Sequence, residues 1–269
     1  MKSQLIFLFL LIVIGGLITS NNLHAQLRGN SDWNFQIVPY LWYSNLGVAE
    51  TLDDLGTFPS NHFVGDFNVP IVSKTLGTDW AFRGELGKKR IRGILILSDA
   101  QVKTNTPITS IDSSIVDAPA KSDLTWFTGE LFGAVAIGPF KEDLAIELYA
   151  GGRYTKQEQK VESDSLQGMI DINQTWVDPV MGARFYIKVG KRWWTMINSD
   201  IGGFGIGSGS NLTWTLGAEF GFEIFKHVDI SMRYNYQEVE FENGKDGADR
   251  FIWDNGVQQG WFFGLTFKN

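Results

Sequence analysis

The chain has 269 residues, and its 30 acidic against 23 basic side chains give a formal net charge of −7, so it offers no basic surface for nucleic acid. It contains no Cys, which excludes disulfides, thiol catalysis and a lipid anchor on an N-terminal Cys. Its 30 Gly, 20 Phe and 10 Trp are a mixture typical of extended all-β chains rather than helical ones.

At the N-terminus, Lys2 precedes the apolar run LIFLFLLIVIGGLI, and Leu23-His24-Ala25 ends in a small residue before Gln26. This pattern predicts a secretory signal peptide over residues 1–25. The apolar core is short for a membrane span and no basic stop-transfer cluster follows it. Residues 26–269 are then the mature chain, and with no linker or composition shift they read as one domain.

Alternating segments begin at DWNFQIVPYLWYS, where Trp33, Phe35, Ile37 and Leu41 share one face and Asn34, Gln36, Val38, Tyr40 and Trp42 the other. Pro39 predicts a bulge or a local break in the ladder. Between Asn45 and Gly77, PIVSKTLG suits either a short helix in a barrel mouth or a further strand pair. The segment around Trp80–Gly87 turns at GKKR into IRGILILSDAQV, whose two faces are both apolar and do not reveal which is outward.

A loop is expected from Thr104 to Lys121, followed by DLTWFTGELFGAVAIG and LAIELYAGGRYTKQEQK around a short turn. Next come QTWVDPVMGARFYIKV, RWWTMINSDIGGFG, NLTWTLGAEFGFEIF, VDISMRYNYQEVEF and the terminal GWFFGLTFKN. In NLTWTLGAEFGFEIF, Leu212, Trp214, Leu216, Ala218, Phe220, Phe222 and Ile224 oppose Thr213, Thr215, Gly217, Glu219, Gly221 and Glu223. Short links at 87–90, 138–143, 189–192 and 225–228 alternate with longer ones, the asymmetry of an outer-membrane barrel with tight periplasmic turns and long external loops. The expected fold is therefore all-β: a closed antiparallel transmembrane β-barrel of about ten strands, with eight to twelve compatible with the pattern.

Periodicity alone does not separate a barrel from a soluble sandwich. The faces opposite the aromatics decide it, because they hold Gly, Tyr, Trp and isolated charges of both signs rather than a solvated Lys/Glu/Thr/Ser surface. Such residues suit the confined interior of a narrow barrel. The apolar faces of the four clearest strands carry no charge, as lipid requires, since Arg or Lys at mid-depth costs roughly 2–4 kcal/mol. Trp214, Tyr234, Tyr236, Trp261 and Phe267 lie near strand ends, where interfacial girdles form.

The phrases PYLWYSNLG, LYAGGRY, WVDPVMGARF and SDIGGFGIGSGSNLTW, in this order and spacing, resemble a family of largely uncharacterised outer-membrane β-barrel proteins of Gram-negative bacteria. The resemblance spans nearly all of the mature chain and is weakest between PYLW and Trp80 and from Thr104 to Lys121. It implies a barrel fold in the bacterial outer membrane, in contact with outer-membrane lipid; separately, the aromatic near the C-terminus, Phe267, is a mark of substrates of the barrel-insertion machinery. It brings no established substrate.

With that orientation Arg83, Glu85, Glu130, Glu147, Arg153, Asp178, Arg184, Asp200, Glu219 and Arg233 point into the lumen, where six acids facing four arginines should pair. They suit either a structural salt-bridge network or an ion-selective constriction. The expected role is a porin-like or structural barrel passing small solutes narrowly at most. The alternatives are a non-conducting adhesive barrel presenting its loops, and a lipid-modifying enzyme. The last is disfavoured because the mature chain has only His62 and His227, neither on a strand face beside a Ser. No cofactor and no metal are expected: two His without Cys do not make a zinc site. GGFGIGSGS lacks the G-x-G-x-x-G spacing and leads into a strand, so it fits a loop needing positive φ rather than a phosphate cradle. ENGKDGADRFIWDNG reads as a solvated external loop with turn signals at Asn243-Gly244 and Asn255-Gly256, and Asp246, Asp249 and Asp254 as weak Ca²⁺ ligands at most.

Overall fold

The computed structural model describes residues 33–52, 57–58, 61–62, 65–73, 79–108, 118–137, 144–163, 168–207, 209–242 and 251–269. The expected signal peptide lies outside them. The strands are β1 (Trp33–Leu52), β2 (Thr57–Phe58), β3 (Asn61–His62), β4 (Gly65–Ser73), β5 (Trp80–Lys88), β6 (Ile91–Ile108), β7 (Ala118–Ile137), β8 (Leu144–Ser163), β9 (Gly168–Lys188), β10 (Trp193–Gly203), β11 (Leu212–Phe225), β12 (Val228–Glu242) and β13 (Phe251–Lys268).

The main sheet runs β13-β12-β11-β10-β9-β8-β7-β6-β5-β1, every neighbour antiparallel, and closes on itself through β13 and β1. The ten strands form a closed ring. β4 adds no eleventh stave. It pairs with the outer half of β1, from Asn45↔Ser73 to Leu52↔Gly65, while β5 pairs with the inner half, from Trp33↔Lys88 to Leu41↔Trp80. The two therefore share one column beside β1. At residues 70–73 the helix alternative gives way to strand. At Pro39 the β1–β13 ladder skips two residues without losing register, passing from Ile37↔Phe267 to Tyr40↔Gly264, so the proline breaks the ladder but makes no bulge.

Two expected loops are shorter than their polar composition implies. β6 and β7 continue as a ribbon to Ile108↔Ala118, which takes both ends of the Thr104–Lys121 segment into strand. β13 begins at Phe251, and Asn255-Gly256 is no turn. β13 carries one extra residue there, because Phe241↔Trp253 and Val239↔Gly256 are two apart on β12 and three apart on β13, a shift that β1 also registers. The other two candidate acids, Asp246 and Asp249, lie outside the described residues.

Exposure reverses that of a soluble protein. Leu41 and Leu131 are each 66 % exposed on the outside, whereas Arg153 and Glu219 are 1 % and 0 % exposed within. β6 resolves with Ile91 and Leu95 outward and Ile94, Ala100 and Val102 inward. On β7 the outward apolar positions run from Phe127 to Ile137 and on β8 from Leu144 to Tyr154, eleven residues each, the length a tilted strand needs to cross hydrocarbon. Rings close the upper limit of this band: Phe127 beside Tyr154 at 6.2 Å, Trp214 beside Tyr236 at 5.1 Å and Tyr234 beside Trp261 at 4.9 Å between centroids. Directly above it, exposed Lys156–Glu158 and Lys103–Asp123 pairs return the surface to water.

Candidate functional site: the charged bore

All ten lumen candidates lie on the inward positions of their strands. Several charges are direct cross-strand partners: Glu130↔Arg153, Arg153↔Asp178, Glu147↔Arg184 and Glu219↔Arg233. Period two fixes the face, and the register then brings acid beside base.

Two further pairs cross the bore and cannot be read from neighbouring strands. Arg83 on β5 reaches Glu219 on β11, with Nη1 at 2.5 Å from Oε2. Glu85 on β5 receives both ends of the Arg184 guanidinium from β9, at 2.8 and 3.0 Å. Arg184 also binds Glu147, and Arg92 donates to Glu85 at 3.0 Å while lying 3.3 Å from Glu147. Arg83 Nε is 3.3 Å from Glu85, and the Tyr40 hydroxyl donates to Glu219 at 3.0 Å. Three arginines and three glutamates thus form one neutral septum across the barrel. Such pairing offsets part of the several kcal/mol that desolvating each ion costs.

Nearer the external end Arg153 binds Glu130 and donates to Asp200 at 2.9 Å, and Asp200 also accepts the Tyr149 hydroxyl at 3.0 Å. Asp178 departs from the expectation of ion pairing. It accepts the Ser210 backbone N–H at 2.7 Å and the Trp176 indole N–H at 3.1 Å, so its charge ties the β10–β11 loop into the bore. That loop contains Gly203, Gly205 and Gly207 at φ +87, +62 and +64, the positive values expected of the glycine run. Arg233 donates to the Asn235 amide oxygen at 3.0 Å.

Sequence reasoning left out Arg92, Asp229 and Lys268. At the short-turn end Lys268 Nζ lies 2.6 Å from Asp229, which also accepts the Trp194 indole N–H at 2.9 Å. The signal for Asp229 and Lys268 was their place on inward faces. Arg92 was masked by adjoining the GKKR turn.

The septum divides two cavities. The outer, of about 80 Å³, is lined by residues including Tyr40, Trp42, Arg153, Asp200 and Phe262. The inner, of about 180 Å³, opens toward the short turns and is lined by Arg92, Glu147, Lys188, Lys191 and Trp194 among others. Arg83, Arg184 and Met196 line both. Farther out the bore is packed: Trp176 stacks on Phe241 at 4.4 Å, and Trp126, Leu124, Gln157 and Gln159 are buried. No group of three or more potential metal ligands occurs among the described residues. His227 sits in the β11–β12 turn with Nδ1 3.1 Å from the Lys268 carbonyl oxygen, while the side chain of His62 lies outside the described residues.

Fold and surface together define a transmembrane-type β-barrel with a closed, charged bore. No protein-family model matches the chain, and no curated protein matches its sequence. Solved structures that match the chain include the transport unit of the autotransporter AIDA-I from Escherichia coli, with 8 % identity, 94 % of this chain and 96 % of that one covered, and a TM-score of 0.41. The translocator domain of NalP from Neisseria meningitidis has 12 % identity, 90 % of each chain covered and a TM-score of 0.40. Ail, the attachment invasion locus protein of Yersinia pestis, solved with the heparin analogue sucrose octasulfate, has 9 % identity, 88 % and 99 % covered, and a TM-score of 0.36. At these scores the likeness carries no conclusion about what this chain binds or does.

Proposed function

We propose that the protein is an integral outer-membrane barrel of a Gram-negative bacterium, exported by a cleaved signal peptide, inserted by the barrel machinery and held in outer-membrane lipid. In this reading it is porin-like without being an open pore. Small solutes pass slowly, through a bore that its own side chains keep closed at rest, and no covalent chemistry is done on them. The observation that carries this is the septum: Arg83 and Arg184 line the cavities on both sides, so the barrier between them is side-chain deep. Ion pairs can rearrange around a passing ion, while the packed stretch around Trp176 and Phe241 farther out keeps passage rare. Recording in planar bilayers tests it. Rare, small conductance steps are expected for the natural chain and larger ones for Arg184→Ala; silence from both removes the passage.

A second, adhesive reading rests on the height of the wall. β7 and β8 continue through residues 118–126 and 155–163 beyond the apolar band, roughly 30 Å of strand each at 3.3–3.4 Å per residue. This ribbon presents alternating charges to the exterior and would be the surface a partner meets. Binding of intact cells to host or abiotic surfaces, lost when residues 104–121 are replaced by a tight turn, would favour it over passage.

A further inference from the structure

The outer cavity is lined by four arginines, Arg83, Arg153, Arg184 and Arg233, against two acids, Glu130 and Asp200. Arg83 and Arg184 are matched from below by Glu219, Glu85 and Glu147, and Arg153 by Glu130 and Asp200. Arg233 donates to the neutral Asn235 amide, and its charge acts on Glu219 of the neighbouring strand without a hydrogen bond between them. Its cross-strand neighbour Glu219 already accepts from Arg83 and Tyr40. Two neutral donors in the same lining, Trp42 Nε1 and Gln258 Nε2, are buried without a hydrogen-bond partner, in residues 2 % and 5 % exposed. Leaving such a group unsatisfied costs about 1–3 kcal/mol, so a cavity with several of them has a demand for acceptors.

The backbone is shaped to the same end. A Cβ on Gly217 would lie 2.5 Å from Asn198 Oδ1, 2.8 Å from Asn235 Oδ1 and 3.0 Å from Arg233 Nη2, so glycine there lets these three side chains converge. Asn198 Oδ1 has no donor, and a half-turn of that amide presents its NH₂ to the same space.

We propose that this outer cavity is a binding site for a small monovalent anion, of the size of chloride, nitrate or formate, held by Arg233 with the Trp42 and Gln258 N–H groups. The volume suits a small ion: about 80 Å³ holds a few water-sized groups. The site rests on the barrel reading above but not on conduction, because its occupancy requires no passage through the septum.

Chloride NMR line broadening tests it on the full mature barrel in a non-ionic detergent, with gluconate as the only other anion. The natural chain should broaden the chloride line, nitrate and formate should reverse the effect, and the bulkier gluconate should not. Arg233→Gln removes the charge, and Trp42→Phe keeps a ring on Phe262, now stacked at 4.9 Å, while deleting the N–H. Each should weaken chloride binding about tenfold, the scale of one hydrogen bond to a charged group. Both variants are checked for folding by the gel shift between unheated and boiled samples, and Gln258→Leu substitutes for either that fails. Absence of broadening by the natural chain, or equal broadening by the folded variants, overturns the site. Conductance without broadening refutes the anion site and leaves the barrel standing, whereas a mature chain that stays dissolved without detergent refutes the barrel itself.

Discussion

At the scale of single residues, burial decides which charges matter. Arg153 is 1 % exposed between Glu130 and Asp200, whereas Lys156 and Glu158 form a pair at 2.5 Å with side chains 41 % and 42 % exposed. Removing one member of a buried pair leaves uncompensated charge, so Arg153→Met should cost about 3–5 kcal/mol in urea unfolding from detergent or lipid. Adding Glu130→Gln and Asp200→Asn to that variant should recover most of the loss, because the acids then need no cation. Lys156→Ala should stay within about 1 kcal/mol of the natural chain, as exposed pairs do. A glycine supplies the steric counterpart. A Cβ on Gly221 would stand 2.0 Å from Trp194 Cε2, so Gly221→Ala should displace an indole whose N–H now binds Asp229. Near-ultraviolet circular dichroism should report it through a lost Trp signal.

At the scale of the strand, the same alternation serves two solvents, and depth sets the cost of a charge. Leu131 on β7 is 66 % exposed at the middle of the apolar band, and Thr125 lies outward on the same strand just beyond Phe127, where the band ends. Leu131→Lys should destabilise the folded barrel by about 2–4 kcal/mol and Thr125→Lys by no more than about 1, measured as refolding equilibria into lipid vesicles. Equal costs at both sites would mean that the outer face does not meet hydrocarbon. Strands such as β11 and β13 were legible in the sequence because period two is a local property. β6 was not, since Ile94 and Ile96 face the bore while Ile91 and Leu95 face lipid, and apolar residues on both faces erase the contrast. The ribbon ends around Thr104–Ile108 and Phe251–Gly256 were also hidden. Their polar, Pro- and Asn-Gly-containing stretches read as turns, but backbone pairing along the ribbon and one bulge accommodate them as strand. Within the bore, Glu147↔Arg184 could be anticipated from adjacent segments, whereas Glu85 meeting Arg184 at a separation of 99 residues depends on the curvature of the closed barrel.

At the scale of the whole molecule, each of the ten barrel strands has a neighbour on both sides only because the first meets the last, and that seam is the longest-range feature of the fold. β1 and β13 pair from Gln36↔Lys268 to Leu52↔Phe251, and the Asn269 side chain accepts the Phe35 N–H at 2.8 Å and donates to the Trp33 carbonyl at 3.2 Å. Closure removes the exposed edge that would otherwise pair with another chain or lie unsatisfied in lipid. Leu41 and Phe263 face each other across this seam, and antiparallel partners have Cα atoms about 4.5–5.5 Å apart, within the range a disulfide spans. The natural chain has no Cys, so Leu41→Cys with Phe263→Cys introduces a single pair of thiols. Oxidation closes a loop of more than two hundred residues, whose entropy in the unfolded chain corresponds to about 5 kcal/mol. The oxidised variant should therefore keep its compact gel mobility at temperatures that unfold the natural barrel, and a reductant should abolish the difference. Were the strands to form an open sheet, the two thiols would not meet, and oxidation would yield linked dimers or leave mobility unchanged.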